Sequence, residues 1–191
     1  QHRNRVGEAS GRAAKITGLP LISHTEDASC GHDQVDIVTG EGVPAGQLLV
    51  GHSDGASIAA IYAGSRQDHR VEGIALIAPH FIVEDISVAS IAEIKTTYDT
   101  TNLKEKLSRW HKDADNAFYG WNDAWLDPKF RDWDISEYLA YIRVPVAIVQ
   151  GAADQYGTMR QVEIAQEECY CPVDVVLIAD AGHSPHREAP D

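Results

Sequence analysis

The sequence predicts an α/β protein with a mostly parallel sheet, helices on both faces of that sheet, and one helical insertion. Two observations support this prediction. Short apolar runs alternate with helical patterns along the chain, as they do when parallel strands are joined by helices. One interval between apolar runs, residues 84–141, is helical throughout and too long for a plain crossover. We therefore expect a core formed by residues 1–83 and 142–191, with residues 84–141 inserted as a helical cap.

The elements of the core follow in chain order. Residues 11–18 are typical of a helix end, residues 19–23 of a short strand, and the polar, glycine-rich residues 24–46 of little regular structure beyond a short helix near 32–39. The remaining predicted elements are strands at Leu48–Gly51, Val71–Ala78, Val144–Gln150 and Val173–Ile178, and helices at Ser53–Gly64 and Met159–Glu168. Ligands of such sheets bind beyond the carboxyl ends of the strands, so polar residues that follow the strands are candidate site residues.

Composition limits the classes of function. The chain has 191 residues, of which 43% are hydrophobic and 24% charged, as in an ordinary globular domain. Its net charge of −13 argues against nucleic acid or an anionic membrane surface as a partner. There is no apolar run long enough to span a bilayer and no signal-peptide pattern in the first twenty residues, so we expect a cytoplasmic protein.

Two further features concern the chain as a whole. The three cysteines, Cys30, Cys169 and Cys171, suit neither a disulfide framework nor a zinc site, so we expect reduced thiols. The chain begins at Gln1 and its only methionine is Met159, from which we expect an N-terminally incomplete chain.

The stretch LLVGHSDGAS contains the first candidate for chemistry. Ser53 lies between Gly51 and Gly55, where the strand becomes a helix, and so tight a turn leaves no room for side chains at the two glycine positions. The turn lifts the serine hydroxyl above the sheet, at a helix N-terminus that favours developing negative charge. The alternatives are a glycine-rich turn with an incidental serine and a phosphate-binding turn.

A nucleophilic serine needs a base, and the base needs a carboxylate that orients it. Asp154 follows the strand VPVAIVQ in GAADQ, and His183 follows the strand VDVVLI in ADAGHSPH. The chain order is therefore nucleophile, acid, base, with Ser53 first.

Other residues remain alternatives. Glu84 or Asp85 could supply the acid, because both follow the strand that ends near Ala78, and His186 could replace His183 as the base. We expect His52 to point away from Ser53. The candidate substrate-binding residues are His80, Trp121 and Trp125, although Trp110 and Tyr119 could equally line the pocket and His80 could be structural.

These motifs resemble the α/β-hydrolase family over residues 47–191, through LLVGHSDGAS, VEGIALIAPHF, VPVAIVQGAADQYG and IADAGHSPHREAP. The resemblance implies a serine hydrolase whose helical cap covers the site and which needs neither a metal nor an organic cofactor. Ser53 would attack a carbonyl carbon, His183 would transfer the proton, and Asp154 would hold the imidazole. A small ester is the favoured substrate, ahead of amides, lactones and carbon–carbon bonds beside a carbonyl.

This sequence departs from the family pattern at the oxyanion hole. One donor would be the backbone N–H of Asp54, but no segment of residues 24–46 resembles the loop that normally supplies the second donor. Loss of one donor costs about 10²–10³ in rate, so we expect weak activity. Missing early strands would also expose a sheet edge that could pair with a second copy. The alternative function is a non-catalytic ligand-binding or assembly protein on the same scaffold.

Overall fold

The structure, a computed structural model, describes residues 22–23 and 46–189 and contains one parallel sheet. Its strands are β1 (Ile22–Ser23), β2 (Gln47–His52), β3 (Val71–Ile77), β4 (Val146–Gly151) and β5 (Val173–Ile178). They lie side by side in the order β1-β2-β3-β4-β5, and every neighbouring pair is parallel. The predicted α/β class is therefore confirmed, and the carboxyl ends of the strands meet at one edge of the sheet.

Helices connect these strands. They are α1 (Asp54–Arg66), α2 (Asp85–Thr100), α3 (Leu103–Leu107), α4 (Ala114–Leu126), α5 (Ser136–Leu139), α6 (Met159–Glu168) and α7 (Pro185–Glu188), with a short 3₁₀ helix at Pro128–Phe130. The predicted elements of residues 46–189 are found close to their expected positions, whereas those at 11–18 and 32–39 lie outside the described residues. None of the helices described is both long and apolar enough to cross a membrane.

The hydrophobic core lies between one face of the sheet and helices α1, α5 and α6. Ile74 and Leu76 of β3 and Ile148 of β4 are almost fully buried there, together with Leu139 of α5. Side chains alternate between the faces of a strand, so residues such as Leu48 and Val176 point to the opposite face, where they are about half exposed (46% and 51%). The described helices therefore cover one face of the sheet more completely than the other.

The predicted cap, residues 84–141, contains helices α2 to α5. Its last helix, α5, packs into the core through Leu139 rather than over the carboxyl edge of the sheet. The division into core and cap stays a prediction, as does pairing with a second copy along an exposed sheet edge.

Helix α1 packs closely on its neighbours because small residues line its buried face. Ala56 and Ala60 are fully buried, and a Cβ on Gly64 would lie 2.2 Å from the carbonyl oxygen of Tyr138 in α5. Since that oxygen belongs to the main chain, it could move away only if α5 itself shifted. Contact between α1 and α5 thus requires the absence of a side chain at position 64.

We predict that Gly64→Ala lowers the free energy of unfolding by about 1–3 kcal/mol, because the added methyl group collides with the main chain of α5. Gly120, inside α4, is the matched control, since nothing lies within 4 Å of an added Cβ there. Gly120→Ala should instead stabilise the protein by about 0.5–1 kcal/mol through helix propensity. Urea denaturation measures both values, and equal stabilities for the two variants would contradict this account of the α1–α5 contact.

Candidate active site

Ser53 lies in a strained turn between β2 and α1. Its backbone has φ 56° and ψ −126°, in the left-handed region that residues with a Cβ rarely adopt. A Cβ on Gly51 would lie 2.2 Å from the carbonyl oxygen of Gly55, so α1 turns back over the end of β2 at a distance that only glycine allows. The turn places the serine side chain at the carboxyl edge of the sheet.

A series of hydrogen bonds joins Ser53 to the two other predicted residues. The Nε2 atom of His183 lies 2.9 Å from Ser53 Oγ. On the other side of the ring, Nδ1 lies 2.9 and 3.0 Å from the two carboxylate oxygens of Asp154. Ser53 follows β2, Asp154 follows β4 and His183 follows β5, so three loops at one sheet edge bring together residues far apart in the sequence.

Asp154 is buried and fully hydrogen-bonded. Besides the bonds with His183, its carboxylate accepts from the backbone N–H of Tyr156 at 2.8 Å and from Nε2 of Gln150 at 2.9 Å. Burial by itself raises the pKa of Asp154, but the hydrogen bond and charge of His183 and the donors on Tyr156 and Gln150 outweigh it and lower that pKa. Asp154 is therefore ionised at neutral pH and can fix the imidazole orientation.

The alternative acids have other partners. The carboxylate of Glu84 accepts from both the backbone N–H and the hydroxyl of Thr158, at 2.9 and 2.5 Å. Asp85 forms an exposed ion pair with Arg131. The structure thus brings Asp154, rather than either of these residues, to the imidazole of His183.

His52 does not point away from the site, as the sequence suggested. Its Nε2–H donates to the carbonyl oxygen of His183 at 2.7 Å, and the two rings lie 5.0 Å apart. His186, the alternative base, lies in α7 with its ring 4.9 Å from His52. Burial lowers the pKa of His186. His52 thus holds the main chain of the loop that carries His183.

Asp54 begins α1, so its backbone N–H stands at the helix N-terminus beside Ser53, as the sequence indicated for an oxyanion donor. Its carboxylate accepts a hydrogen bond of 3.3 Å from the indole Nε1–H of Trp125 in α4. This bond connects the turn at Ser53 to the helical segment that follows β3. The segment in which a second oxyanion donor was sought, residues 24–46, lies almost wholly outside the described residues.

A cavity of about 300 Å³ opens onto Ser53. Helices α2 to α4 supply its apolar wall, formed by Ile91, Ile94, Leu103, Leu107, Ala117, Phe118, Trp121 and Trp125. The polar lining comes from His52, Asp54, His80, His111, Tyr156 and His183. The three candidate substrate-binding residues thus line one cavity, whereas Trp110 is 84% exposed and Tyr119 donates its hydroxyl to Asp99.

Sequence reasoning missed the residues that support the predicted ones. Tyr156 lines the cavity with its ring 4.8 Å from that of His183, and Gln150 is buried at the end of β4. The sequence contained one signal for Gln150: it is a polar residue at the end of an otherwise apolar strand, four residues before the candidate catalytic Asp154. In the part of the chain that the structure describes, no three His, Cys, Asp or Glu side chains converge to hold a metal ion.

The sequence matches the alpha/beta hydrolase family over residues 12–191, nearly the whole chain. The chain belongs to the alpha/beta hydrolase family. No curated protein matches it.

Solved structures share the fold of this family member at low sequence identity. A serine hydrolase involved in carbazole degradation has a TM-score of 0.65 and 15% identity over 90% of this chain and 69% of its own. A bacterial membrane phospholipase A has a TM-score of 0.62 and 18% identity, over 88% of this chain and 61% of its own. The esterase RhEst1 from a Rhodococcus species has a TM-score of 0.58 and 17% identity, over 88% of this chain and 70% of its own. The chain described here therefore matches 61–70% of the length of each of these three proteins.

We predict that Asp154→Asn slows the reaction of Ser53 with a fluorophosphonate probe by up to about 10⁴-fold, because an amide neither stabilises the imidazolium nor enforces the required tautomer. Glu84→Gln removes a different carboxylate and should react within about threefold of the parent protein. Labelling rates followed by intact-protein mass spectrometry measure both. A greater loss in Glu84→Gln than in Asp154→Asn would assign the acid to Glu84.

Proposed function

We propose that this alpha/beta hydrolase is a serine hydrolase that cleaves small carboxylic esters through an acyl-enzyme on Ser53. The observation that carries the proposal is the series Ser53–His183–Asp154, hydrogen-bonded throughout, with the serine at the floor of an apolar cavity. A hydroxyl in contact with an oriented imidazole is the arrangement that activates a serine at neutral pH.

In the first half of the proposed reaction, Ser53 Oγ attacks the ester carbonyl carbon while His183 Nε2 accepts the serine proton. Asp154 stabilises the imidazolium that results. The negative charge on the carbonyl oxygen is stabilised by the backbone N–H of Asp54 at the N-terminus of α1. The tetrahedral intermediate then expels the alcohol, which takes the proton from His183, and leaves the acyl group on Ser53.

In the second half, water attacks the acyl-enzyme. His183 accepts a proton from that water and returns it to Ser53 Oγ as the carboxylic acid leaves, so the enzyme is regenerated. Every proton passes through His183, whose loop is fixed by His52 and whose ring is fixed by Asp154. The proposed chemistry therefore uses water together with side chains and backbone groups of the site.

The cavity supports a small, uncharged substrate. Its volume of about 300 Å³ and the indole rings of Trp121 and Trp125 suit an apolar acyl or alcohol group. The carboxylate of Asp54 on the wall and the net charge of −13 disfavour an anionic substrate. Among the similar structures are proteins named as an esterase and a phospholipase A, which also supports ester cleavage.

We predict that a fluorophosphonate probe labels the protein at Ser53 and that Ser53→Ala abolishes labelling. Ser65→Ala is the matched control, because Ser65 lies on the protein surface in the helix that follows Ser53, and it should leave labelling unchanged. p-Nitrophenyl acetate should give a burst of p-nitrophenol in the parent protein, as expected of an acyl-enzyme.

Peptide mapping of the labelled protein identifies the modified residue. Labelling that persists in Ser53→Ala would refute the assignment of the nucleophile. Failure of the folded parent protein both to label and to release p-nitrophenol would instead favour the non-catalytic binding protein.

A further inference from the structure

His80 lines the same cavity as the proposed nucleophile but takes no part in the steps above. It follows β3, is only 3% exposed, and its imidazole lines the cavity. Its ring centre lies 5.6 Å from that of His183 and 5.2 Å from that of Trp125. The hydroxyl of Ser57 donates to the His80 carbonyl at 2.6 Å, which fixes the main chain of the residue. The main chain of His80 is thus held in place at the site.

Within the described residues, no group hydrogen-bonds to the ring of His80, and Nδ1 is fully buried without a partner. The other histidines nearest Ser53 differ, because His183 bonds through both ring nitrogens and His52 through Nε2. Burial closes Nδ1 off from the cavity, so Nε2, which also has no hydrogen-bond partner among the described residues, is the ring nitrogen that a ligand in the cavity can reach. No partner fixes the tautomer of His80 either, so its ring can donate or accept a hydrogen bond.

The surroundings of His80 keep its ring uncharged. Burial lowers the pKa of His80 to about 3, and the neighbouring imidazoles of His183 and His52 act in the same direction, while Asp154 opposes them only in part. A carboxylate ligand would be best held by a protonated imidazole, which this environment disfavours. A neutral imidazole suits a hydroxyl or a carbonyl oxygen.

We propose that His80 binds a second, uncharged oxygen of the substrate, close to the bond that is cleaved. This inference rests on the proposed ester hydrolysis and narrows its substrate class to esters of hydroxy or oxo acids. The rings of His80 and His183 lie 5.6 Å apart, centre to centre, so we assign that oxygen to a carbon near the ester carbonyl, carbon 2 or 3 of the acyl chain. The rest of the acyl chain then lies against the apolar wall.

Binding without turnover tests the proposal. Ser53→Ala is titrated with ethyl hexanoate, ethyl 2-hydroxyhexanoate and ethyl 3-hydroxyhexanoate, and the ¹⁵N resonances of the His80 ring are followed by NMR. We expect one of the two hydroxy esters to bind about tenfold more tightly than the plain ester and to shift the His80 ring nitrogens. Tenfold corresponds to the free energy of one ordinary hydrogen bond.

Variants in the Ser53→Ala background locate the effect. His80→Leu should bring the affinity ratio of hydroxy to plain ester to about one, and His80→Gln, whose amide still donates and accepts, should keep part of the preference. Phe118→Leu is the control, because it changes the apolar wall and should weaken all three esters alike.

Equal affinities for all three esters in the Ser53→Ala protein would overturn the proposal, as would a preference that survives in His80→Leu. Since these measurements need no turnover, they are distinguishable from a failure of the proposed function, which would appear as absent labelling of Ser53 in the parent protein.

Discussion

The geometry of the site depends on two close main-chain approaches that only glycine permits. A Cβ on Gly51 would lie 2.2 Å from the carbonyl oxygen of Gly55, and a Cβ on Gly151 would lie 2.1 Å from that of Gly182. The first approach turns α1 over the end of β2 and presents Ser53. The second brings the loop that carries His183 onto the end of β4. Because β2 and β4 are both neighbours of β3, the strand spacing of about 4.8 Å then sets the distance between the two loops.

Hydrogen bonds to the buried carboxylate of Asp154 complete the positioning of the site residues. A carboxylate as buried as that of Asp154 is tolerated only if its oxygens are hydrogen-bonded, and His183, Tyr156 and Gln150 together meet this requirement. The same bonds leave the imidazole one orientation, in which Nε2 faces Ser53. His52 adds a bond to the main chain of His183, so both the loop and the ring are constrained. The bonds that allow Asp154 to be buried as an anion therefore also orient the imidazole of His183.

Features of the site that depend on neighbouring residues could be predicted from the sequence. Strand, glycine turn and small-residue helix are consecutive around Ser53, and Asp154 and His183 each directly follow an apolar strand, so their positions could be predicted. The choice of Asp154 over Glu84 depended on how two loops meet, which is a long-range property. For the same reason the direction of His52 was predicted wrongly. The wall of the cavity could be named only in part, because it comes from the packing of α2 to α4 across the sheet edge.

The backbone of Ser53 bears on the choice between a catalyst and a binding scaffold. Holding a residue with a Cβ at φ 56° costs about 1–3 kcal/mol, a substantial part of the 5–15 kcal/mol that stabilises a typical domain. A glycine at this position would adopt the same backbone without that cost, and the turn already contains glycines at 51 and 55. A junction needed only for folding would therefore gain from glycine at position 53. A serine at this position is therefore explained if its hydroxyl is required. A hydroxyl 2.9 Å from an imidazole that a buried carboxylate orients is better suited to attack a carbonyl than merely to line a cavity.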